Sequence, residues 1–276
     1  MISKKVGFKK MVHSRLVNIY HCTVHKAGSQ WIRKILSDER ILRHSGLHIH
    51  HYQSHMPEGF DTRKVNERKF EKAFPEGTIV TPLYIDYENY KNFPKPKNYR
   101  TIFIMRDPRD LVISHYFSKK YSHELNPLIK KIRERLISCP LQEGIIFIID
   151  YLKEDGSFDA LKSWTLVPKA DKNTLVLRYE SLIENKTDLF QKVFSHLNIN
   201  MSDRILTILL EDYNFERLSK GRKPGLENKF SHYRKGIHGD WKNYFNLEIK
   251  NYFLAVTNNL LEVLGYETDS SWQVNE

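Results

Sequence analysis

Short apolar runs that pass straight into a turn and then a helical pattern constrain this chain most. Leu16-Val17-Asn18-Ile19-Tyr20-His21-Cys22 reads as a strand, with Thr23 to Ser29 as a tight turn on Gly28 and Trp31 to Leu36 as the start of a helix. Thr101-Ile102-Phe103-Ile104-Met105 repeats the arrangement and runs into Arg106-Asp107-Pro108-Arg109-Asp110. Pro108 suits the first turn of a helix, which continues through Leu111, Val112 and Tyr116. Thr174 to Arg178 reads as a further buried strand and Thr78 to Thr81 as a short one. Strands that are apolar on both faces must be covered on both sides. Their alternation with helices predicts an α/β fold of three layers, a central parallel sheet flanked by helices. In such sheets ligands bind at the carboxyl ends of the strands.

Further helices are expected over Leu141–Lys153, Phe158–Leu166, Ser202–Leu210 and Leu247–Leu264. Another covers Thr187–Leu197, with Leu189, Phe190, Val193, Phe194 and Leu197 on one face. Residues 219–240 are polar, basic and punctuated by glycine and proline, which predicts a long loop. Residues 38–77 are polar and rich in histidine and give no clear pattern. No internal repeat, low-complexity tract or flexible linker divides the 276 residues. The expectation is a basic arm over residues 1–15 and one domain over 16–276, long enough to bury a core without disulfides or a structural metal.

Lys and Arg number 44 against 33 Asp and Glu, a net charge of +11. That excess predicts an anionic partner: nucleic acid, an acidic membrane surface or a multiply phosphorylated ligand. The 15 Tyr and 15 Phe fall mostly in apolar helix and strand patterns, which assigns them to a core, so no nucleic-acid partner is expected. The two cysteines, Cys22 and Cys139, sit in no metal-ligand spacing. No metal is expected, and a reducing, cytoplasmic setting is. The basic opening MISKKVGFKKMVHSR lacks the apolar centre of a secretory signal, and no run approaches ~18 apolar residues, so no membrane span is expected.

Three segments carry chemistry. In Thr23 to Trp31, a strand-to-helix turn containing Gly28 presents backbone N–H groups at a helix N-terminus. Lys26 adds a point charge and Ser29 a hydroxyl; the order differs from a GxxxxGK[ST] loop because the lysine precedes the glycine. In Arg106 to Tyr116, Arg106 ends a strand, where its planar guanidinium can fork onto a phosphate, and Ser114 follows about two helical turns later. In Phe230 to Phe245, Arg234 and Lys235 precede Gly236, so two cations and an open backbone can wrap an anion. Each segment alone also reads as an ordinary turn, a paired helix start or a solvated basic loop.

Together and in this order the segments resemble the cytosolic sulfotransferase family, which uses 3′-phosphoadenosine 5′-phosphosulfate (PAPS). Lys26-Ala27-Gly28-Ser29-Gln30-Trp31 is similar to its 5′-phosphosulfate loop, and Arg106 through Tyr116 to its 3′-phosphate motif. Arg234-Lys235-Gly236 with Gly239-Asp240-Trp241-Lys242 is similar to its C-terminal loop, and Arg178-Tyr179-Glu180-Ser181-Leu182 to a feature whose tyrosine lies near the adenine. The resemblance spans roughly residues 16–265 and implies a P-loop-like form of the three-layer fold. It implies in-line transfer of a sulfuryl group from PAPS to a hydroxyl or amine of a small-molecule acceptor, leaving 3′,5′-ADP. It assigns Lys26 the 5′-phosphosulfate and its bridging oxygen, the catalytic contact. Ala27, Gly28, Ser29 and Gln30 complete that loop, and Trp31 and Phe215 pack on the adenine with Tyr179 nearby. Arg106, Ser114, Arg234, Lys235 and Gly236 fall on the 3′-phosphate.

The sequence departs from the family at the general base. The matching stretch is Ile79-Val80-Thr81-Pro82-Leu83-Tyr84, with Pro82 where the family has a histidine. The candidates left are His48, His50, His51, His55, Asp86 and Glu88, unless the acceptor needs no base. His25 stands where the family usually has proline, and Gln30 where it has a second hydroxyl residue. The family's dimerisation motif would start at Lys242 but carries Asn246, Leu247 and Asn251 instead. Residues 40–100 and 120–170 lie between the nucleotide motifs and are expected to build the acceptor pocket. The alternatives are an ATP-using P-loop phosphotransferase and a PAPS-binding protein without efficient catalysis.

Overall fold

Five parallel strands carry the fold in the computed structural model, which describes residues 16–55 and 64–274. They are β1 (Asn18–Thr23), β2 (His48–His50), β3 (Thr78–Tyr84), β4 (Tyr99–Met105) and β5 (Thr174–Arg178), in the order β2-β3-β1-β4-β5. The expected arm over residues 1–15 lies outside the described residues. All six residues of β1 are buried, because it pairs with β3 on one side and β4 on the other. That is what its apolar run requires. The chain leaves β1 toward β3 and returns on the opposite side as β4, so the order reverses between β1 and β4. Thr23 is level with Ile104 in the register, which brings the turn after β1 beside the end of β4. That crevice is where a parallel sheet offers a ligand site.

The helices in chain order begin with α1 (Ser29–Leu36), α2 (Glu39–Ser45), α3 (Tyr87–Asn92), α4 (Pro108–Phe117) and α5 (Pro127–Ser138). Next come α6 (Leu141–Glu154), α7 (Ser157–Ser163), α8 (Tyr179–Glu184), α9 (Lys186–His196) and α10 (Asp203–Asp212). α11 (Phe215–Leu218), α12 (Leu247–Thr257) and α13 (Leu260–Val263) follow. Ile32, Ile35, Leu36, Phe190 and Leu206 cover one face of the sheet over Ile19, Ile102 and Ile104. Leu111, Ile148, Phe158 and Phe253 cover the other over Tyr20, Cys22 and Phe103. Described residues 219–239 contain no helix or strand, matching the expected loop.

Several expectations needed correction. The short strand at Thr78 runs on to Tyr84 and passes through Pro82. Tyr20 pairs with Val80 and Cys22 with Leu83, so Thr81 and Pro82 share one bulge opposite His21, where a residue without an N–H is tolerated. The histidine-rich stretch supplies α2 and the edge strand β2. The helix expected over Leu247–Leu264 is broken at Asn258, whose φ of 52° lies in the left-handed region. The Phe158–Leu166 helix ends at Ser163 and finishes as a 3-10 turn over Trp164–Leu166. Helix α5 carried no expectation.

Candidate active site

The turn between β1 and α1 is shaped by two residues with positive φ, Lys26 at 67° and Gly28 at 80°. A Cβ on Gly28 would stand 2.7 Å from the Tyr179 ring, so only glycine allows this approach. The first helical bonds are those from the Trp31 and Ile32 N–H groups to the Gly28 carbonyl, which leaves the Ser29 and Gln30 amides facing out of the helix start. The Lys26 ammonium is buried and donates to Ser118 Oγ at 3.2 Å. Among the described residues no carboxylate pairs with it. Burial, followed by the cations of Arg106, Lys119 and Arg234, pushes its pKa down to about 8. A buried charge surrounded by like charges is held ready for an anion.

Arg106 ends β4 and is nearly buried. It donates to the Lys26 carbonyl at 3.1 Å, its guanidinium lies 4.7 Å from the Tyr179 ring centroid, and its Nε is a buried donor without a partner. Helix α4 starts where Pro108 occupies its first turn and the Asp107 carboxylate accepts from the Arg109 N–H at 2.9 Å. Asp110, one turn in, lies 3.6 Å from Arg106 and accepts from the N–H groups of Gly239 and Trp241 at 2.7 and 3.0 Å. It ties the long basic loop to the end of β4.

That loop carries Arg234, Lys235 and Gly236. Arg234 is ion-paired to Glu227 and Asp240, and Lys235 donates to Asp240 at 2.6 Å. Arg222 donates to the carbonyls of Leu226 and Arg234 at 2.9 and 2.8 Å, holding the loop's own backbone. Gly236 has φ of 68°, and a Cβ there would come within 2.3 Å of the Phe215 ring.

These segments meet in one cleft. Lys26, Gly28, Ser29, Gln30, Trp31, Arg106, Ser114, Tyr179, Phe215, Arg234, Lys235 and Gly236 all line it, together with His232, Tyr233 and Ile237. Ala27 does not: it is fully buried in the core. Beside the cationic wall an apolar recess is lined by Trp31, Tyr179, Tyr213, Phe215, Leu218 and Pro224. The Trp31 indole is fixed by its N–H donating to the Tyr213 carbonyl at 2.8 Å. A cationic end joined to an aromatic recess suits a phosphorylated aromatic ligand.

Residues 18–265 match the model of the sulfotransferase domain. The chain belongs to the sulfotransferase domain family. Among characterised relatives of this sulfotransferase, human sulfotransferase 2A1 is 27% identical over 246 residues, covering 82% of this chain and 77% of its own. Human sulfotransferase 1C2 is 22% identical with the same coverage of both chains. The 3-beta-hydroxysteroid sulfotransferase of Cavia porcellus is 26% identical over 60% of this chain and 58% of its own. Among solved structures, a mouse sulfotransferase complexed with PAP superposes with a TM-score of 0.60 at 17% identity, covering 90% of this chain and 86% of the other. A retinol dehydratase in complex with retinol and PAP gives 0.57 at 16%, covering 96% and 85%. These structures share the three-layer fold.

The base candidates fall outside the cleft of this sulfotransferase. His48 is exposed on β2, and His50 bonds to His55 at 3.1 Å, both rings packed against Phe74. His51 lies 3.4 Å from Arg33. Asp86 caps α3 by accepting from the Asn89 N–H, and Glu88 pairs with Lys91 on the surface. Around Lys26 stand residues absent from the sequence-derived site, Ser118, His123 and His232, and Tyr84 supports the loop from the core by donating to Ser29 Oγ at 3.0 Å. Among the described residues no group of His, Cys, Asp and Glu is placed to hold a metal ion, and no helix is long and apolar enough to cross a membrane.

Proposed function

We propose that residues 16–276 form one sulfotransferase domain that moves the sulfuryl group of PAPS to a hydroxyl or amine of a small-molecule acceptor. One observation carries this reading: the Lys26 turn, Arg106 with Ser114, and Arg234-Lys235-Gly236 converge on a single cleft in which, among the described residues, Lys26 has only cations as its charged neighbours and Arg106 keeps an unpartnered buried donor. The residues fit such a ligand. The unpartnered Arg106 Nε supplies a donor, and the aromatic recess supplies a place for the base. Lys26 and the Ser29 and Gln30 amides face the reacting end. Arg106, Ser114, Arg234, Lys235 and Gly236 take the 3′-phosphate, and Trp31, Tyr179 and Phe215 the adenine. Charge builds on the leaving phosphate oxygen during in-line displacement. A preorganised ammonium and backbone donors stabilise that charge more in the transition state than in the ground state. The free, buried Cys22 and partly buried Cys139 accord with a cytoplasmic setting.

Thermal shift with 3′,5′-ADP, 5′-AMP and ATP with Mg²⁺ tests the reading. A ligand specific for the folded state adds about 2.7 kcal/mol at 100 times its dissociation constant. The expected result is a large shift with 3′,5′-ADP and small shifts with the others. Arg106→Ala and Arg234→Ala should weaken 3′,5′-ADP and leave 5′-AMP nearly unchanged. A preference for ATP with Mg²⁺ would return the chain to phosphoryl transfer.

A further inference from the structure

An acceptor hydroxyl must lose a proton as it is sulfonated, and Pro82 on β3 can take none. The chain places another group beside Lys26. Helix α4 ends in a π-helical turn, Ser118–Ser122, closed by the His123 N–H donating to the Ser118 carbonyl at 2.7 Å. Such turns insert one residue into a helix and recur at functional sites. Arg133 of α5 clamps this one at two points. Its Nε donates to the Lys119 carbonyl at 3.0 Å and its Nη2 to the His123 carbonyl at 2.6 Å. The turn delivers a buried hydroxyl, Ser118 Oγ, 3.2 Å from Lys26 Nζ and 3.5 Å from His123 Nδ1.

A serine hydroxyl has one proton to donate and two lone pairs to accept with. Lys26 occupies one lone pair, and His123 Nδ1 is placed to receive the proton. The second lone pair is left for a hydroxyl entering beside Lys26. Resting at 3.5 Å, the Ser118–His123 contact is long, as catalytic hydrogen bonds often are before substrate closes them.

We propose that Ser118 and His123 together accept the proton of the acceptor hydroxyl, Ser118 touching the acceptor and His123 holding the proton behind it. This rests on the sulfuryl-transfer reading. The acceptor O–H passes its proton to Ser118 Oγ while Ser118 gives its own to His123 Nδ1. The acceptor oxygen forms the new O–S bond, and the S–O bond to the 5′-phosphate breaks. Its electron pair stays on the phosphate oxygen, next to the Lys26 ammonium. Serine ends unchanged and His123 ends as imidazolium.

The groups facing His123 are Lys119 from its own turn, Lys26 from the β1–α1 turn, Arg133 from α5, His25 and, on the basic loop, His232. His123 is solvent-exposed as a residue, yet desolvation on its packed side, followed by the three cations, pushes it down to about 4, so it is neutral and able to accept at pH 7. Anionic phosphates beside Lys26 offset those cations and raise its basicity toward working pH. The other nearby histidines are engaged or differently placed. His25 is stacked on Tyr84 at 3.7 Å, and His115 Nε2 lies 3.3 Å from the His25 carbonyl. His232 lines the cleft and is the competitor.

Carbon-13 NMR titration of the histidine rings, with His123→Gln identifying its resonance, tests this without turnover. The midpoint of His123 should stand near 4 in the free protein and rise by about one unit or more with 3′,5′-ADP. A midpoint that 3′,5′-ADP does not move overturns the proposal. Turnover with PAPS and two probe acceptors gives the second arm. Benzyl alcohol must lose a proton, whereas p-nitrophenol is already largely ionised when the assay is run at about pH 8. Ser118→Ala and His123→Gln should each slow benzyl alcohol by ~10²–10⁴-fold in kcat and barely affect p-nitrophenol. Equal losses on both acceptors mark a structural role and overturn it, as does a selective loss in His232→Gln but not His123→Gln. If 3′,5′-ADP gives no thermal shift at all, the sulfuryl-transfer reading fails before any variant is made.

Discussion

Lys26 shows how one residue's surroundings set its task. Its backbone takes a left-handed conformation that an unbranched side chain tolerates at a cost, and its ammonium is buried with cations as its nearest charges. An approaching anion relieves that repulsion. Lys26→Ala should therefore lower kcat by ~10²–10³-fold while weakening PAPS much less, because the charge it answers is undeveloped in PAPS and appears as the S–O bond breaks. Single-turnover kinetics beside equilibrium binding separate the two effects; unchanged turnover refutes the leaving-group role. The pH dependence has a defined sign. Lys26 is cationic below about 8, so 3′,5′-ADP affinity should be full at neutral pH and fall as pH rises through that value. A flat affinity profile would show that another group carries the charge.

Among the elements, strands were legible and the site's connections were not. The apolar runs of β1 and β4 announce themselves because a strand covered on both faces is apolar on both, and β5, partly exposed at the sheet edge, does so by its unbroken Leu175-Val176-Leu177. The cations and glycines of the cleft were legible because few residue types can approach a phosphate closely. Ala27 was over-read: it shares the loop with Lys26 but points into the core. Edge strand β2 is only three residues long, too short for any period to register. The π-turn after α4 shifts the helical phase, so the approach of Ser118 and His123 to Lys26 cannot be counted off from Arg106. Asp110 is similar. Its carboxylate looks like one more charge at a helix start, yet it anchors the basic loop through two N–H groups. Asp110→Ala would leave those amides and Arg106 without their acceptor. Each such orphaned group costs about 1–3 kcal/mol. The expected outcome is a lower urea midpoint, faster proteolytic cleavage within residues 219–239 and weaker 3′,5′-ADP binding. Loss of stability with an unaltered loop and ligand affinity would show that Asp110 serves α4 alone.

For the whole molecule, gathering cations around an anion site leaves a mark on stability when no ligand is bound. Lys26 and its neighbour Lys119 at the cleft, and Lys95, which donates to the Tyr90 and Phe93 carbonyls at the end of α3, are each pushed down to about 8, chiefly by burial. In the unfolded chain the same lysines titrate near ~10.4. Between these values the unfolded state binds more protons than the folded one, so stability must rise with pH across that window. Opposition comes from Cys22, whose thiol is held neutral in the core well above its ordinary range. Lys186, also lowered by burial, adds to the rise, while Lys120 and the tyrosines raised by burial, Tyr20, Tyr151 and Tyr213 to about 12 among them, begin to oppose only near the top of the window. The free protein should therefore show a higher urea midpoint at about pH 9.5 than at about pH 7.5. Lys26→Met should flatten the rise, since one of its main sources is gone, and should raise the midpoint at the lower pH. A midpoint that falls across the window in the free protein would mean that these ammonium groups are solvated, and with them the preorganised charge of the cleft would be lost.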